Sequence, residues 1–327
     1  MRTEPNALSI ISPGAWKDIH STVTTKKFKK TSRPTGRDGV DVLFTIEDDE
    51  LHGRHRSVLS HAFSDRALRG QEARVLKHSN HLIEKLKTYS EAGAGVNLVE
   101  WLDFTTFDLV GDLAFGESFG CLDNSGYTPY VENTRGAFKE IAFFNIAARF
   151  SPLEKILMRM APKRVIQRIN EHNAMAADKV GRRIAKGANE ERKDFWSYVL
   201  SQKENSFKLS GDEMELTAST LIAAGSITTA ETLAGAVYFL CLNPTLMSEL
   251  CNEIRSAFAT QNEINIISTG NLRFLHACLM ESMRLYTPVP FGLHRIAPKE
   301  GAMVAGHFIP GGVRIPLTHQ TLTKTPI

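Results

Sequence analysis

Four groups of residues in this 327-residue chain combine types and spacings that could do chemistry. His52 and Arg56 are four apart, so on a helix they fall on one face and can converge on a single anion; a solvated basic face has the same spacing. Ala224-Gly225-Ser226-Ile227-Thr228-Thr229 lies in the middle of a long apolar run. A mid-helix Gly costs roughly 1 kcal/mol relative to Ala, which fits either a groove where something approaches the backbone or close packing between helices. Glu281 and Arg284 are three apart and can pair on one helical face, as an ordinary surface ion pair would. The fourth group, Pro310-Gly311-Gly312 after Gly306-His307-Phe308-Ile309, reads as a hairpin turn.

The elements that must position these groups are almost all helical. Apolar periodicity predicts helices over 52–63, 65–87, 98–115, 131–146, 163–186, 194–202, 211–240, 244–259 and 270–286. Gly116 and Gly120 close the third, and Asn243-Pro244 separates the long apolar helix from the next. Asn271 is a candidate cap for the last, and Pro288 with Pro290 forbids its extension. The first forty residues, punctuated by Pro5, Pro13, Pro34, Gly36 and Gly39, read as irregular. Extended character is confined to 302–309 and 313–317, on either side of the Pro-Gly-Gly turn. No repeat or boundary divides the sequence, so it reads as one mostly α domain over residues 1–327 with a minor β-sheet.

Composition narrows the function classes. A net charge of +3 makes no global case for nucleic acid or an anionic membrane, and Lys26, Lys27, Lys29, Lys30 and Arg33 read as a solvated loop. Cys121, Cys241, Cys251 and Cys278 are far apart and form no metal or disulfide framework. Dinucleotide, Walker, zinc-protease and hydrolase-elbow motifs are absent. The run from Thr217 to Leu242 is long enough to span a bilayer, but Gly225, the threonines and Glu231 favour a buried core helix over a membrane span.

The order of the four groups is more informative than any one of them. His-x-x-x-Arg, then Ala-Gly-x-x-Thr-Thr in a long helix, then Glu-x-x-Arg with a downstream Arg and a Pro-Gly-Gly turn resembles the cytochrome P-450 superfamily. The stretches NALSIISPGAWKDIH, LSHAFSDRALRGQE, LIAAGSITTAETLAG, ESMRLYTPVPFGLHR and AGHFIPGG resemble the fungal members that tailor secondary metabolites. That resemblance implies a haem-dependent helical fold. It implies that His52, Arg56 and Arg295 hold haem propionates, and that Gly225 and Thr228 form the oxygen-activation groove. Glu281 and Arg284 match a buried pair that organises the fold, while Val289, Pro290, Phe291 and residues 143–146 border the substrate pocket. The implied partners are a small lipophilic substrate and a flavin reductase at the endoplasmic reticulum membrane.

Three departures qualify these expectations. The family's N-terminal membrane anchor and first strands have no counterpart in the sequence, and Ile227 stands where an acid usually precedes the first Thr; Glu231 is the acid one turn further on. No cysteine lies in the family's haem-thiolate loop, which follows the Pro-Gly-Gly turn, and the last residues, QTLTKTPI, no longer resemble the family. The leading expectation is therefore an incomplete, catalytically inactive and unstable monooxygenase homologue, with no metal ligand and no thiolate-bound haem. Two others stay open: part of an active enzyme that hydroxylates a small lipophilic metabolite, and a non-enzymatic helical interaction protein.

Overall fold

Local sequence sets several of the helix ends. In the computed structural model, which describes residues 2–10, 12–20, 28–30, 40–136, 163–187, 194–201, 207–289 and 294–315, Gly116 adopts φ 71° and closes the helix before it. Asp194 accepts from Ser197 N at the start of another helix, and Pro244 occupies the first turn of a third. The described residues form two compact units, residues 1–53 with 232–327 and residues 54–231.

The first unit holds the sheet. Strands β1 (Arg2–Glu4), β2 (Ala7–Leu8), β3 (Lys29–Lys30), β4 (Arg295–Ile296) and β7 (Arg314–Ile315) form one sheet in the order β1-β2-β7-β4-β3. Strands β5 (Ala302–Val304) and β6 (His307–Ile309) form a separate hairpin. Helix α1 (Pro13–His20) packs here through Ala15 and Ile19, which meet Ala297, Val304, Ile309 and Ile315 in a small apolar core. The stretch read as irregular thus supplies three strands and a helix. Strands of two or three residues carry too little alternation to be seen in sequence.

The C-terminal strands also differ from expectation. The run 302–309 is not one strand, because Ala305 (φ 48°) and Gly306 (φ 80°) turn it back on itself. Asp18 Oδ2 accepts from Ala305 N at 2.8 Å and anchors that turn. Pro310-Gly311-Gly312 does not make a hairpin, since β7 pairs with β4 and β2 rather than with β6. Gly311 is required by space: a Cβ there would lie 2.1 Å from the carbonyl oxygen of Lys299.

Three further helices belong to this unit. They are α10 (Pro244–Ala257), the short α11 (Ile266–Thr269) and α12 (Arg273–Leu285). The cap expected from Asn271 is not used. Glu253 on α10 reaches across and accepts from Phe274 N and Leu275 N, both at 2.9 Å, so a carboxylate from another helix satisfies the first turn of α12.

The second unit is helical. It comprises most of α2 (Asp49–Ser60), a 3₁₀ turn at His61–Phe63, α3 (Asp65–Arg69), α4 (Glu72–Glu91), α5 (Leu98–Phe115), α6 (Cys121–Asn124), α7 (Lys163–Ala185) and α8 (Phe195–Leu200). To these is added most of α9 (Gly211–Leu242). The helix expected over 131–146 is seen at 129–136; the rest lies outside the described residues. Helix α5 is the core element, with both edges of its buried face tied by charge. Asp108 accepts from Cys121 N and Leu122 N at 3.0 and 2.8 Å, and Asp112 meets His78 at 3.2 Å. Burial alone would raise the Asp112 carboxyl, but the His78 hydrogen bond and the Arg74 charge outweigh it and hold the group below its ordinary value.

Arg183 and Asp194 form the most deeply buried ion pair among the described residues, 2.5 Å apart with side chains 1% and 0% exposed. Arg183 also donates to Gly187 O and Ser197 Oγ, so the guanidinium is nearly saturated and α7 is locked to the start of α8. Asp194→Ala leaves the buried guanidinium without its counter-charge and is expected to destabilise the unit by about 3–5 kcal/mol. Urea unfolding followed by circular dichroism measures this, and a loss below about 1 kcal/mol would contradict it.

Candidate active site

Helix α2 carries the first candidate pair. His52 is half-buried, and Arg56 one turn on is exposed. Between them His55 is fully buried, its Nε2 3.1 Å from Glu213 Oε1 and its ring against Phe207. By residue type alone His55 does not stand apart from its basic neighbours. Its signal is the apolar spacing with Val58 and Leu59, the other buried residues of α2.

Helix α9 carries the second group, and it is less enclosed than expected. Only 17% of its most apolar stretch is buried, so the description "buried core helix" holds for one face only. That face is the stripe Ala218, Ile222, Ser226 and Ala230, spaced four apart. Ser226 Oγ lies 3.4 Å from the Thr106 carbonyl of α5, and a Cβ on Gly225 would meet Val110 of α5 at 3.4 Å. Thr228 lies off the stripe, its Oγ1 donating to the Ala224 carbonyl at 2.6 Å. Glu231, one turn further, is half-buried; burial raises its pKa, and the Arg135 charge opposes the rise. Arg135 is itself held by Asp103 and by the face of the Tyr127 ring.

The other candidates lie in the first unit. Arg295 is half-buried on β4, where it donates to the His294 carbonyl at 3.1 Å. Glu281 and Arg284 pair on α12 through two bonds of 2.7 and 2.5 Å. The expected burial of this pair is not found: the side chains are 54% and 40% exposed. Both residues sit on the side of α12 away from Ser282, its one buried position. Their hydrogen bond still holds the Glu281 carboxyl below its ordinary value. Val289 is exposed, whereas Pro290, Phe291 and residues 143–146 lie outside the described residues.

A cytochrome P450 family model matches residues 16–326. The chain belongs to the cytochrome P450 family. It is 39% identical to cytochrome P450 monooxygenase astA of Talaromyces wortmannii, over 100% of this chain and 66% of that protein. It is 38% identical to cytochrome P450 monooxygenase astJ of Aspergillus oryzae, over 99% of this chain and 65% of the relative. Averantin hydroxylase of Dothistroma septosporum is 33% identical, with 96% of this chain and 59% of that enzyme covered. The chain therefore spans about two thirds of the length of the curated P450 relatives it matches. Among solved structures, the haem domain of cytochrome P450DA superposes with a TM-score of 0.81 at 20% identity, covering 97% of this chain and 68% of that one. The fold is that of a P450 haem domain.

Whether these residues suit a haem can be tested at its two ends. Haem presents carboxylates at one edge, and Arg295 is a half-buried guanidinium whose pKa burial depresses, with no carboxylate bonded to it among the described residues. A buried cation in that condition favours an anion, so the carboxylate edge fits. The thiolate side does not fit. Cys121 is buried with its thiol pushed up to about 11, and Cys241, Cys251 and Cys278 lie within α9, α10 and α12.

The Gly225 contact gives a measurable consequence. An added methyl meets Val110 at an ordinary van der Waals distance, so Gly225→Ala is expected to leave the chain folded and to stabilise it by up to about 1 kcal/mol through helix propensity. Thermal unfolding of the variant checks this; a loss of more than about 1 kcal/mol would show that the backbone approach is tighter than the structure indicates.

Proposed function

We propose that this chain is the haem-cradling span of a fungal secondary-metabolite P450 monooxygenase, and that these 327 residues alone do not oxygenate a substrate. The observation that carries the reading is the half-buried, acid-free Arg295, found in a chain that matches the P450 family model over residues 16–326. In the proposal His52, Arg56 and Arg295 hold the carboxylates of the haem, each through charge-assisted hydrogen bonds worth about 1.5–3 kcal/mol.

When bound, haem supplies activation of dioxygen. The chain's own residues shape the surroundings. In the proposal the Thr228 hydroxyl, which donates to the Ala224 carbonyl, relays a proton at Oγ1 in the groove. Ile227 contributes no proton, and Glu231, whose hold on its proton burial strengthens, is the acid nearest in sequence to Thr228 on the same helix. A bound haem would draw on a thiolate ligand for this family's chemistry, and the buried Cys121, with its raised pKa, and Cys241, Cys251 and Cys278 within α9, α10 and α12 are not proposed to supply it. The expected substrate is a small lipophilic metabolite, and the expected electron donor a flavin reductase.

Reconstituting the purified chain with haem and recording the reduced, carbon-monoxide difference spectrum tests the proposal. The expected result is bound haem without the far-red-shifted Soret band of thiolate ligation. A thiolate band would overturn the claim of inactivity, and absence of any haem binding would overturn the assignment of the cradle.

A further inference from the structure

Helix α2 places one polar residue in an otherwise apolar buried face. Its buried residues are His55, Val58 and Leu59, and His55 is the most enclosed of the three, with no exposed surface. An imidazole in such a place costs free energy unless its nitrogens find partners. Nε2 meets Glu213 Oε1 at 3.1 Å, while Nδ1 has no hydrogen-bond partner among the described residues. An apolar side chain of similar size would fill the same space without that cost, so packing alone does not account for the histidine.

Glu213 has a second task. Its Oε2 accepts from Ser210 N at 2.7 Å and Ser210 Oγ accepts from Glu213 N at 3.2 Å, the reciprocal pair that caps the start of α9. The carboxylate is thereby fixed to the first turn of α9, and Oε1 is left for His55. The His55 ring also lies against Phe207, with centroids 5.2 Å apart, in the segment that leads into α9. Apolar burial of Val58 and Leu59 is non-directional and tolerates a helix that slides or turns. The contact between His55 and Glu213 joins one point on α2 to one point on α9. Arg56 follows His55 in the chain, so whatever fixes the rotation of α2 about its axis fixes where Arg56 stands relative to α9.

We infer that His55, held by Glu213, is a positioning residue: it latches α2 in register with α9 and so aims Arg56. The inference rests on the reading above for one point only, that Arg56 serves a haem carboxylate; the latch itself is independent of it.

Two readouts test this. The first needs no haem: spin labels carried by non-natural amino acids at the exposed positions Arg54 and Asp212 report the distance between α2 and α9 by pulsed electron resonance. A single narrow distance is expected in the otherwise wild-type chain. A broadened or displaced distance is expected in His55→Leu and in Glu213→Gln, a change that keeps the capping box. His55→Gln, whose amide nitrogen can take the place of Nε2, should restore the narrow distance. The second readout is haemin affinity, which should fall about threefold to tenfold in His55→Leu if about a third to a tenth of molecules keep Arg56 aimed. Adding His55→Leu to Arg56→Met should cause no further loss, and haemin dimethyl ester, whose carboxylates are masked, should bind all variants alike. Should His55→Leu not fold, Glu213→Gln carries both readouts. An unchanged distance overturns the latch whatever haemin does. A changed distance with wild-type haemin affinity, or a loss that adds to that of Arg56→Met, overturns the aiming of Arg56. If the wild type binds no haemin, the distance still decides the latch, and it is the haem assignment that fails.

Discussion

The contact of α9 with α5, made by Ser226 against the Thr106 carbonyl and by Gly225 beside Val110, sets which face of α9 is left for chemistry. Ala218, Ile222, Ser226 and Ala230 form a buried stripe at intervals of four on α9, where Glu215, Thr217 and Ala236 are buried too, and all of the stripe but Ile222 are small. A small-residue stripe lets two helices approach closely, and Ser226 reaches the Thr106 carbonyl across the contact. Because the seam is narrow, the remaining circumference of α9 is free to carry residues chosen for chemistry. Ala224, Thr228 and Glu231 recur at spacings of four and three, and so share a face that the α5 contact does not consume. Gly225 lies between the two roles, with room for a methyl in ordinary contact with Val110.

The first unit depends on a different device, the use of charge to fix elements too short to fix themselves. Strands of two or three residues cannot hold a register by hydrophobic pattern, yet Arg314 bonds Glu4 and Asn6, and Asp18 anchors the turn at Ala305. Glu253 does the same for the first turn of α12. Satisfied charges organise the sheet, and Arg295 is a half-buried cation that no described acid bonds.

Sequence made the long helices legible, because ten or more residues of 3.6-periodicity overdetermine an element. The ends of α5 and α10 were legible through Gly116 and Pro244. What sequence hid was what depends on distant partners. The strands β1 to β3 exist because residues some 300 positions away pair with them or complete their sheet. The cap on α12 comes from Glu253 rather than from the adjacent Asn271, and His55 is buried because Glu213 and Phe207 meet it. The site shows the same division. Thr228 and Gly225 could be singled out by type and spacing within one helix, and their placement away from and beside the α5 seam could not. Glu281 and Arg284 were correctly paired from their spacing, whereas their exposure depends on what surrounds α12. Lys30 was lost among neighbouring lysines, because what places it on a strand is its pairing with Arg295.

The central claim is that the face of α9 bearing Thr228 receives haem while the opposite face holds the helix on α5. Replacing Thr228 by Cys places a thiol on that face, and Cys241, exposed on the same helix, serves as an internal reference. Alkylation at the two sites, followed by peptide mass spectrometry with and without haemin, reads the claim directly. The account predicts that haemin slows alkylation of Thr228→Cys severalfold or more and leaves Cys241 unchanged. Equal rates at position 228 in the presence of bound haemin would contradict it.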